Sequence, residues 1–356
     1  MSRTIQSLVE IWDGLGVVCH FDATTGTWVF ICLHDNTLGD CTGGTRMAMY
    51  ATPADGLRDA MRLAEGMTCK WAAINEKAGG GKAVLALAGP LEGEDRRQLL
   101  RRYGYLVESL NGAFRTGEDL GTSSADMQVI AEKTRYVHGF HPQDGSKVDP
   151  SPFTARGVFA GIRSAVAVTL GSQDLTNRSV LIQGTGHVGL NLGRLLADSG
   201  ASLLVSDIDS GRVEEAARQL DAEVVPAEQV YATACDVYAP CAVGAILSEA
   251  TIPQLRCRIV AGAANNQLAE PADAQRLLEK GIVYVPDYII NAGGALSFAL
   301  MDRGIHERKA LLEEMDTVGD TVREILGEAA DHGESPVAAA ERRVQETLAR
   351  ARDAQS

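Results

Sequence analysis

The sequence predicts an α/β protein built as two domains, an N-terminal α/β domain followed by a doubly wound domain around a parallel sheet. Three observations predict it. A short apolar strand, Ser179–Gln183, runs directly into Gly184-Thr185-Gly186-His187-Val188-Gly189, then into a helix and a second strand that ends at Asp207. Over 138–152 the composition shifts to His, Pro, Gly, Asp, Ser and Lys, the clearest linker in the chain. The length, 356 residues, suffices for two separate cores. The expected domains are 1–148 and 149–299, with a charged helical tail over about 300–356 that packs back on the first.

Taken in order, the first third opens with β-rich runs such as Thr27-Trp28-Val29-Phe30-Ile31-Cys32-Leu33, preceded by a turn at Thr24-Thr25-Gly26. Helical periodicity follows over 54–64, with Thr52 and Pro53 as start signals. Val84-Leu85-Ala86-Leu87 reads as a strand, and 95–110 as an amphipathic helix stopped by Asn111-Gly112. Beyond the linker, strands and helices alternate up to the tail.

Hydrophobic residues make up 45% of the chain and charged residues 22%, which suits a globular enzyme. The net charge of -14 argues against a nucleic acid or an anionic membrane as partner. No segment reads as a transmembrane helix, and the first twenty residues lack a signal-peptide pattern. The seven cysteines are scattered without C-x-x-C spacing. They suggest free thiols, hence a cytoplasmic protein, and no metal site.

Glycines in a G-x-G-x-x-G pattern are weak evidence alone, but the strand before, the helix after and the acidic end of the next strand make this one specific. Gly184 allows the tight turn, Gly186 lets backbone approach a pyrophosphate, and Gly189 permits close helix–strand packing. Thr185, His187 and Val188 complete the loop, and the helix N-terminus favours phosphate charge. Asp207 is placed for the adenosine ribose hydroxyls and would repel a 2′-phosphate. NAD is therefore expected over NADP, with Arg212 the one nearby cation that offsets this. Cys241, Asn265 and Asn291 lie in three later segments, each expected to follow an apolar strand and so to rim one cleft at the carboxyl end of the sheet.

A pair of lysines points to catalysis. Lys82 follows Gly79-Gly80-Gly81, and Lys70 stands twelve residues upstream in Gly66-Met67-Thr68-Cys69-Lys70. Without side chains the glycines are expected to let backbone and lysine close on a small substrate. Like charge and burial would lower the Lys82 pKa toward that of a general base. The segment is not a phosphate loop, because Ala83 follows the lysine where Ser or Thr is needed.

Gly43-Gly44-Thr45-Arg46, the two lysine segments, Thr116-Gly117-Glu118-Asp119, Gly262-Ala263-Ala264-Asn265-Asn266 and 286–294 together resemble the glutamate, leucine, phenylalanine and valine dehydrogenase superfamily. The likeness is greatest to its shorter leucine, phenylalanine and tryptophan dehydrogenase branch. It implies a catalytic domain first and a Rossmann-type domain second, with a cleft between them and C-terminal helices returning to the first. It also implies a homo-oligomer associated through the first domain. The implied reaction is reversible oxidative deamination of an amino acid to its 2-oxo acid and ammonia. In it Lys82 is the general acid/base, Asp119 assists proton transfer at the amino group and Lys70 binds the substrate carboxylate. Gly43, Gly44 and Asn266 contact substrate, and Thr154 lies near the nicotinamide. One departure is Asn75-Glu76-Lys77-Ala78, more charged than usual before the glycines, and read as surface variation, with an altered substrate mouth as the alternative.

The resemblance also addresses the side-chain pocket. Where glutamate-specific relatives hold a distal carboxylate with lysine and serine, this chain has Thr42 and Phe298. Neither is cationic, so an apolar substrate is expected. Gly117 and Ala295 are small, which favours a large aromatic side chain such as phenylalanine, with leucine or valine as the alternative. Two other classes compete: a hydroxy-acid dehydrogenase, which would want a catalytic His with an acidic partner, and a non-catalytic dinucleotide sensor, which would have lost a lysine or Asp119.

Overall fold

The computed structural model describes residues 4–140, 145–146 and 148–354. Much of the expected linker, at 141–144 and 147, lies outside the described residues. The chain divides into two compact units, Met1–Val148 with Gln345–Ser356, and Asp149–Val344.

The first unit begins with helix α1 (Ile5–Ile11) and strands β1 (Gly16–Asp22), β2 (Thr27–Asp35) and β3 (Cys41–Met49). Helix α2 (Pro53–Ala73), strand β4 (Gly79–Leu87), helix α3 (Gly93–Ser109), strand β5 (Phe114–Glu118) and helix α4 (Ser124–Ala131) follow. The strands form one mixed sheet in the order β1-β2-β4-β3-β5. The Thr52 side chain caps α2 in a reciprocal capping box with Asp55, and Pro53 opens the helix. One sheet face packs under α2 through Phe30, Leu57, Ala60, Ala64 and Val84. The other packs under α3 and α4 through Ile31, Ala83, Leu85, Leu99, Tyr103 and Met127. The alternation of β4 residues between these cores is the period-two pattern of a central strand.

The three glycines before Lys82 therefore do not form a loop over a substrate: they open β4 itself. A Cβ on Gly80 would overlap Thr68 Oγ1 and stand 2.5 Å from Thr68 N and 2.6 Å from Ala64 O, so α2 rests directly on the strand there. A Cβ on Gly81 would come 2.9 Å from the Phe114 ring. The glycines make room for the protein's own chain.

The second unit starts with α5 (Ser151–Leu170), then alternates β6 (Ser179–Gln183), α6 (His187–Asp198), β7 (Ser202–Ser206), α7 (Ser210–Leu220), β8 (Glu223–Val224), β9 (Val237–Pro240) and β10 (Ile259–Val260). It continues with α8 (Ala272–Glu279), β11 (Val283–Tyr284), α9 (Asp287–Ile290), α10 (Gly293–Asp302), α11 (Arg308–Glu314), α12 (Thr317–His332) and α13 (Pro336–Asp353). The strands pair in parallel in the order β11-β10-β9-β6-β7-β8, the doubly wound arrangement whose order reverses beside β6.

Two expectations change here. Helix α5 is in fact long and apolar enough to cross a membrane. Its sides are taken by α6, α10 and α12, which makes it a core helix. The return of the C-terminal tail to the first unit is also shorter than expected. Helix α12 packs on α5 within the second unit, and only residues from Gln345 join the first. There Arg352 reaches Asp35 at 2.7 Å.

Candidate active site

On the α2 side of the first sheet, register sets one row of residues. Cys32 pairs with Lys82, and Gly44 pairs with Gly117. Thr42 pairs with Gly80 and Thr45 with Ala83, so Gly44 runs in step with Lys82. The row thus reads Cys32, Lys82, Gly44, Gly117, and two of its members have no side chain. Two residues further along the same face stand Arg46 on β3 and Asp119 just after β5.

These side chains meet. Lys82, 5% exposed, places Nζ 3.3 Å from Asp119 Oδ2. Arg46 Nε donates to the same oxygen at 2.8 Å, and Arg46 Nη1 donates to Asp59 Oδ2 at 2.9 Å. Asp59, on α2, also accepts from Tyr50 Oη at 2.8 Å and from Arg62 Nη2 at 2.9 Å. The Asp119 amide donates to Thr122 Oγ1 at 3.0 Å, which fixes the turn carrying the carboxylate. A Cβ on Gly44 would stand 2.9 Å from Asp119 Cβ and 2.7 Å from Glu118 O, so this glycine is what lets Asp119 lean over the sheet. Gly43 is equally constrained, since a Cβ there would overlap the Gly81 carbonyl oxygen.

Electrostatics follow from this geometry. Burial pulls the Lys82 pKa below that of a free lysine; Asp119 opposes the shift and the Arg46 guanidinium adds to it. The like charge is therefore Arg46. Burial pushes the Asp119 carboxyl up, but Lys82 and Arg46 outweigh it and hold it below the usual range. A buried amine with a lowered pKa beside a fixed carboxylate can exchange a proton with a substrate.

Of the other positions expected in this unit, Lys70 lies half-buried near the end of α2, two residues past the Thr68 contact with Gly80. Thr42 lies two residues before Gly44 on β3, and its carbonyl accepts from Trp71 Nε1 at 3.4 Å. Gly117 has ordinary room for one more carbon, since a Cβ there would find His138 Cβ at 3.6 Å. Glu76 of the unusual charged segment is buried, with Oε1 accepting the Lys77 amide at 2.9 Å.

In the second unit the glycine loop has a dinucleotide cradle's shape. Gly184 has φ +98, and a Cβ there would stand 2.7 Å from Ala242 Cβ. A Cβ on Gly189 would overlap the Gly184 carbonyl oxygen. Around Gly186 nothing lies within 4 Å of a built Cβ, leaving backbone open to a ligand at the start of α6. Thr185 is buried, while His187 and Val188 begin the helix. Asp207 is turned toward this loop: Oδ2 accepts from Thr185 N at 2.8 Å and from Thr185 Oγ1 at 3.1 Å. Arg212 lies 3.7 Å from Asp207 and 3.7 Å from Asp209, so two carboxylates share its charge. The loop residues present fit a dinucleotide.

The three later segments are only partly as expected. The Cys241 amide donates to Gln183 O at 2.7 Å, which ties its segment to the end of β6. Asn291 follows the short helix α9 instead of a strand, yet its Nδ2 reaches Asn265 Oδ1 at 2.6 Å. Asn266 takes a left-handed φ of 51°. Thr154 Oγ1 donates to Pro150 O at 3.2 Å and occupies the space that a Cβ on Gly294 would need. Ala295 and Phe298 sit three residues apart on α10, both half-exposed.

Sequence reasoning missed the Arg46–Asp59 pair. The available signal was strand alternation, which puts Arg46 on the face of Gly44, together with Asp59 and Arg62 three apart on a helix. It also missed the buried Asp287, whose Oδ2 accepts from the Gln267 amide at 2.7 Å.

This arrangement, an amine–carboxylate pair on one unit and a glycine-loop doubly wound sheet on the other, defines a nucleotide-dependent oxidoreductase class. Comparison with known proteins makes it specific. Residues 18–136 match the family model described as Glu/Leu/Phe/Val dehydrogenase, dimerisation domain. Residues 203–355 match the Glutamate/Leucine/Phenylalanine/Valine dehydrogenase model. The leucine dehydrogenase of Geobacillus stearothermophilus is 38% identical over 98% of this chain and 94% of its own. The L-tryptophan dehydrogenase of Nostoc punctiforme is 41% identical over 92% of this chain and 91% of its own. A crystal structure of L-tryptophan dehydrogenase from Nostoc punctiforme superposes with a TM-score of 0.85 at 36% identity, covering 98% of this chain and all of that one. The chain belongs to the glutamate/leucine/phenylalanine/valine dehydrogenase family, and it is an amino-acid dehydrogenase by class.

Proposed function

We propose that this protein is a cytoplasmic NAD-dependent dehydrogenase of apolar L-amino acids, with an aromatic side chain preferred. The observation that carries the catalytic part is the buried Lys82 in contact with Asp119. When bound, the nicotinamide supplies the hydride acceptor for the substrate Cα. The protein's own residues handle the amine. Asp119 accepts a proton from the substrate ammonium, leaving the neutral amine whose Cα gives up the hydride. Neutral Lys82 removes a proton from the water that adds to the imine carbon. The protonated lysine then returns it to the nitrogen, which departs as ammonia while the hydroxyl proton of the adduct passes back to neutral Lys82, leaving the 2-oxo acid. Lys70 pairs with the substrate carboxylate.

NAD is favoured over NADP because Asp207 remains an anion at the end of β7. Burial raises its pKa, but bonds from Thr185 and Asp209 hold it low, and Arg212 is already shared with Asp209. An aromatic substrate is favoured by the small residues Gly117 and Ala295, and Gly117 has ordinary room for one more carbon beside His138. The second reading, a branched-chain substrate, is favoured by the leucine dehydrogenase likeness, which extends over 98% of the chain.

Two substitutions separate the lysine roles. Lys82→Ala is expected to lower kcat at least about a hundredfold with dinucleotide affinity kept. Lys70→Ala is expected to raise the KM for the amino acid about tenfold or more. Normal turnover by the Lys82 variant would remove it from the chemistry.

A further inference from the structure

The contacts around Asp119 contain a competitor for Lys82. Both Lys82 Nζ, at 3.3 Å, and Arg46 Nε, at 2.8 Å, meet the single oxygen Oδ2. Arg46 is itself held from behind by Asp59, whose Oδ2 takes Arg46 Nη1 at 2.9 Å and Tyr50 Oη at 2.8 Å. The Arg46 and Asp59 side chains are only 19% and 17% exposed, so solvent screens this pair incompletely. Charge counting along the chain of contacts is informative. Arg46 and Arg62 balance Asp119 and Asp59; a protonated Lys82 is a third cation against two anions.

We propose that Arg46 is a positioning residue of the amine site: braced by Asp59, it holds Asp119 in place and partly satisfies that carboxylate, so that Lys82 can stand beside it uncharged. This inference rests on the reading of Lys82 as the base. A lysine alone with a buried carboxylate forms a tight ion pair and is a poor proton acceptor. A guanidinium, charged at every working pH, supplies the counter-charge without giving up a proton.

The groups that face Lys82 come from every element around it. Strand β3 contributes Arg46, α2 contributes Asp59, which Arg62 binds from its other side, and the turn after β5 contributes Asp119. From β2, Cys32 stands opposite Lys82, and burial pushes its thiol up to about 12, so it adds no charge near neutral pH. Tyr50, pushed up by burial and Asp59, likewise stays neutral.

The test is the pH profile of kcat/KM for amino-acid oxidation. In Arg46→Met the acid limb is expected to move up by about one pH unit. Activity near neutral pH then falls about tenfold and recovers at higher pH. Arg46→Lys, which keeps a cation, is expected to restore most of the wild-type limb. A uniform loss of rate in Arg46→Met with an unmoved limb would mean a purely structural role and overturn the inference. So would an Arg46→Lys limb no nearer to wild type than that of Arg46→Met. Should Arg46→Met not fold, Arg46→Gln takes its place, and an unmoved acid limb in that variant overturns the inference. Retained turnover in Lys82→Ala would instead sink the underlying reading, which separates the two failures.

Discussion

Asp119 reaches Lys82 because a residue on the neighbouring strand has no side chain. Its Cβ lies over Gly44, in space that any other residue at 44 would fill. Gly44→Ala is therefore expected to push the carboxylate off the lysine and lower kcat about tenfold or more, with dinucleotide affinity unchanged, as steady-state kinetics and a binding titration would measure. Unchanged kcat would show that Asp119 tolerates displacement. At this scale the sequence was readable where a residue type implies its chemistry. Lys82 could be singled out by the glycines before it, and Asp119 by the family resemblance of Thr116-Gly117-Glu118-Asp119. Arg46 could not, since its importance comes from a carboxylate that arrives from a strand more than seventy positions away.

At the scale of elements, local pattern served best where a segment's fate is local. Ser179–Gln183 and Ser202–Ser206 are strands at the residues where apolar runs indicate them. The start of α2 at Thr52-Pro53 follows from its capping chemistry. The glycines before Lys82 read differently in sequence and structure because glycine marks either a loop or a close approach, and only tertiary packing distinguishes them. The α2–β4 contact makes a paired prediction. Gly80→Ala must force α2 away from the strand and is expected to cost about 3 kcal/mol or more. Gly66, within α2, has nothing within 4 Å of a built Cβ, and Gly66→Ala is expected to stabilise by about 0.5–1 kcal/mol. Urea unfolding of both variants checks the signs; a tolerated Gly80→Ala would contradict the packing described here.

At the scale of the whole molecule, the division of labour was visible from order alone: lysines and the Thr-Gly-x-Asp segment before residue 148, the glycine fingerprint after it. What sequence misjudged was the tail. Its helices are amphipathic and charged wherever they pack, so periodicity shows that they have a buried face without showing against what. In the structure that partner is α5 for the helix α12. The family is shared with enzymes named for leucine and for tryptophan, so the choice of side chain rests on the small residues Gly117 and Ala295. The most direct measurement is kcat/KM of the wild-type protein for L-phenylalanine, L-tryptophan, L-leucine, L-valine and L-glutamate, each with NAD and with NADP, followed by the absorbance of the reduced nicotinamide. The account predicts turnover of apolar substrates with NAD, highest for an aromatic one, and little for glutamate or with NADP. Highest efficiency on glutamate, or no turnover of any of the five with NAD, would contradict it.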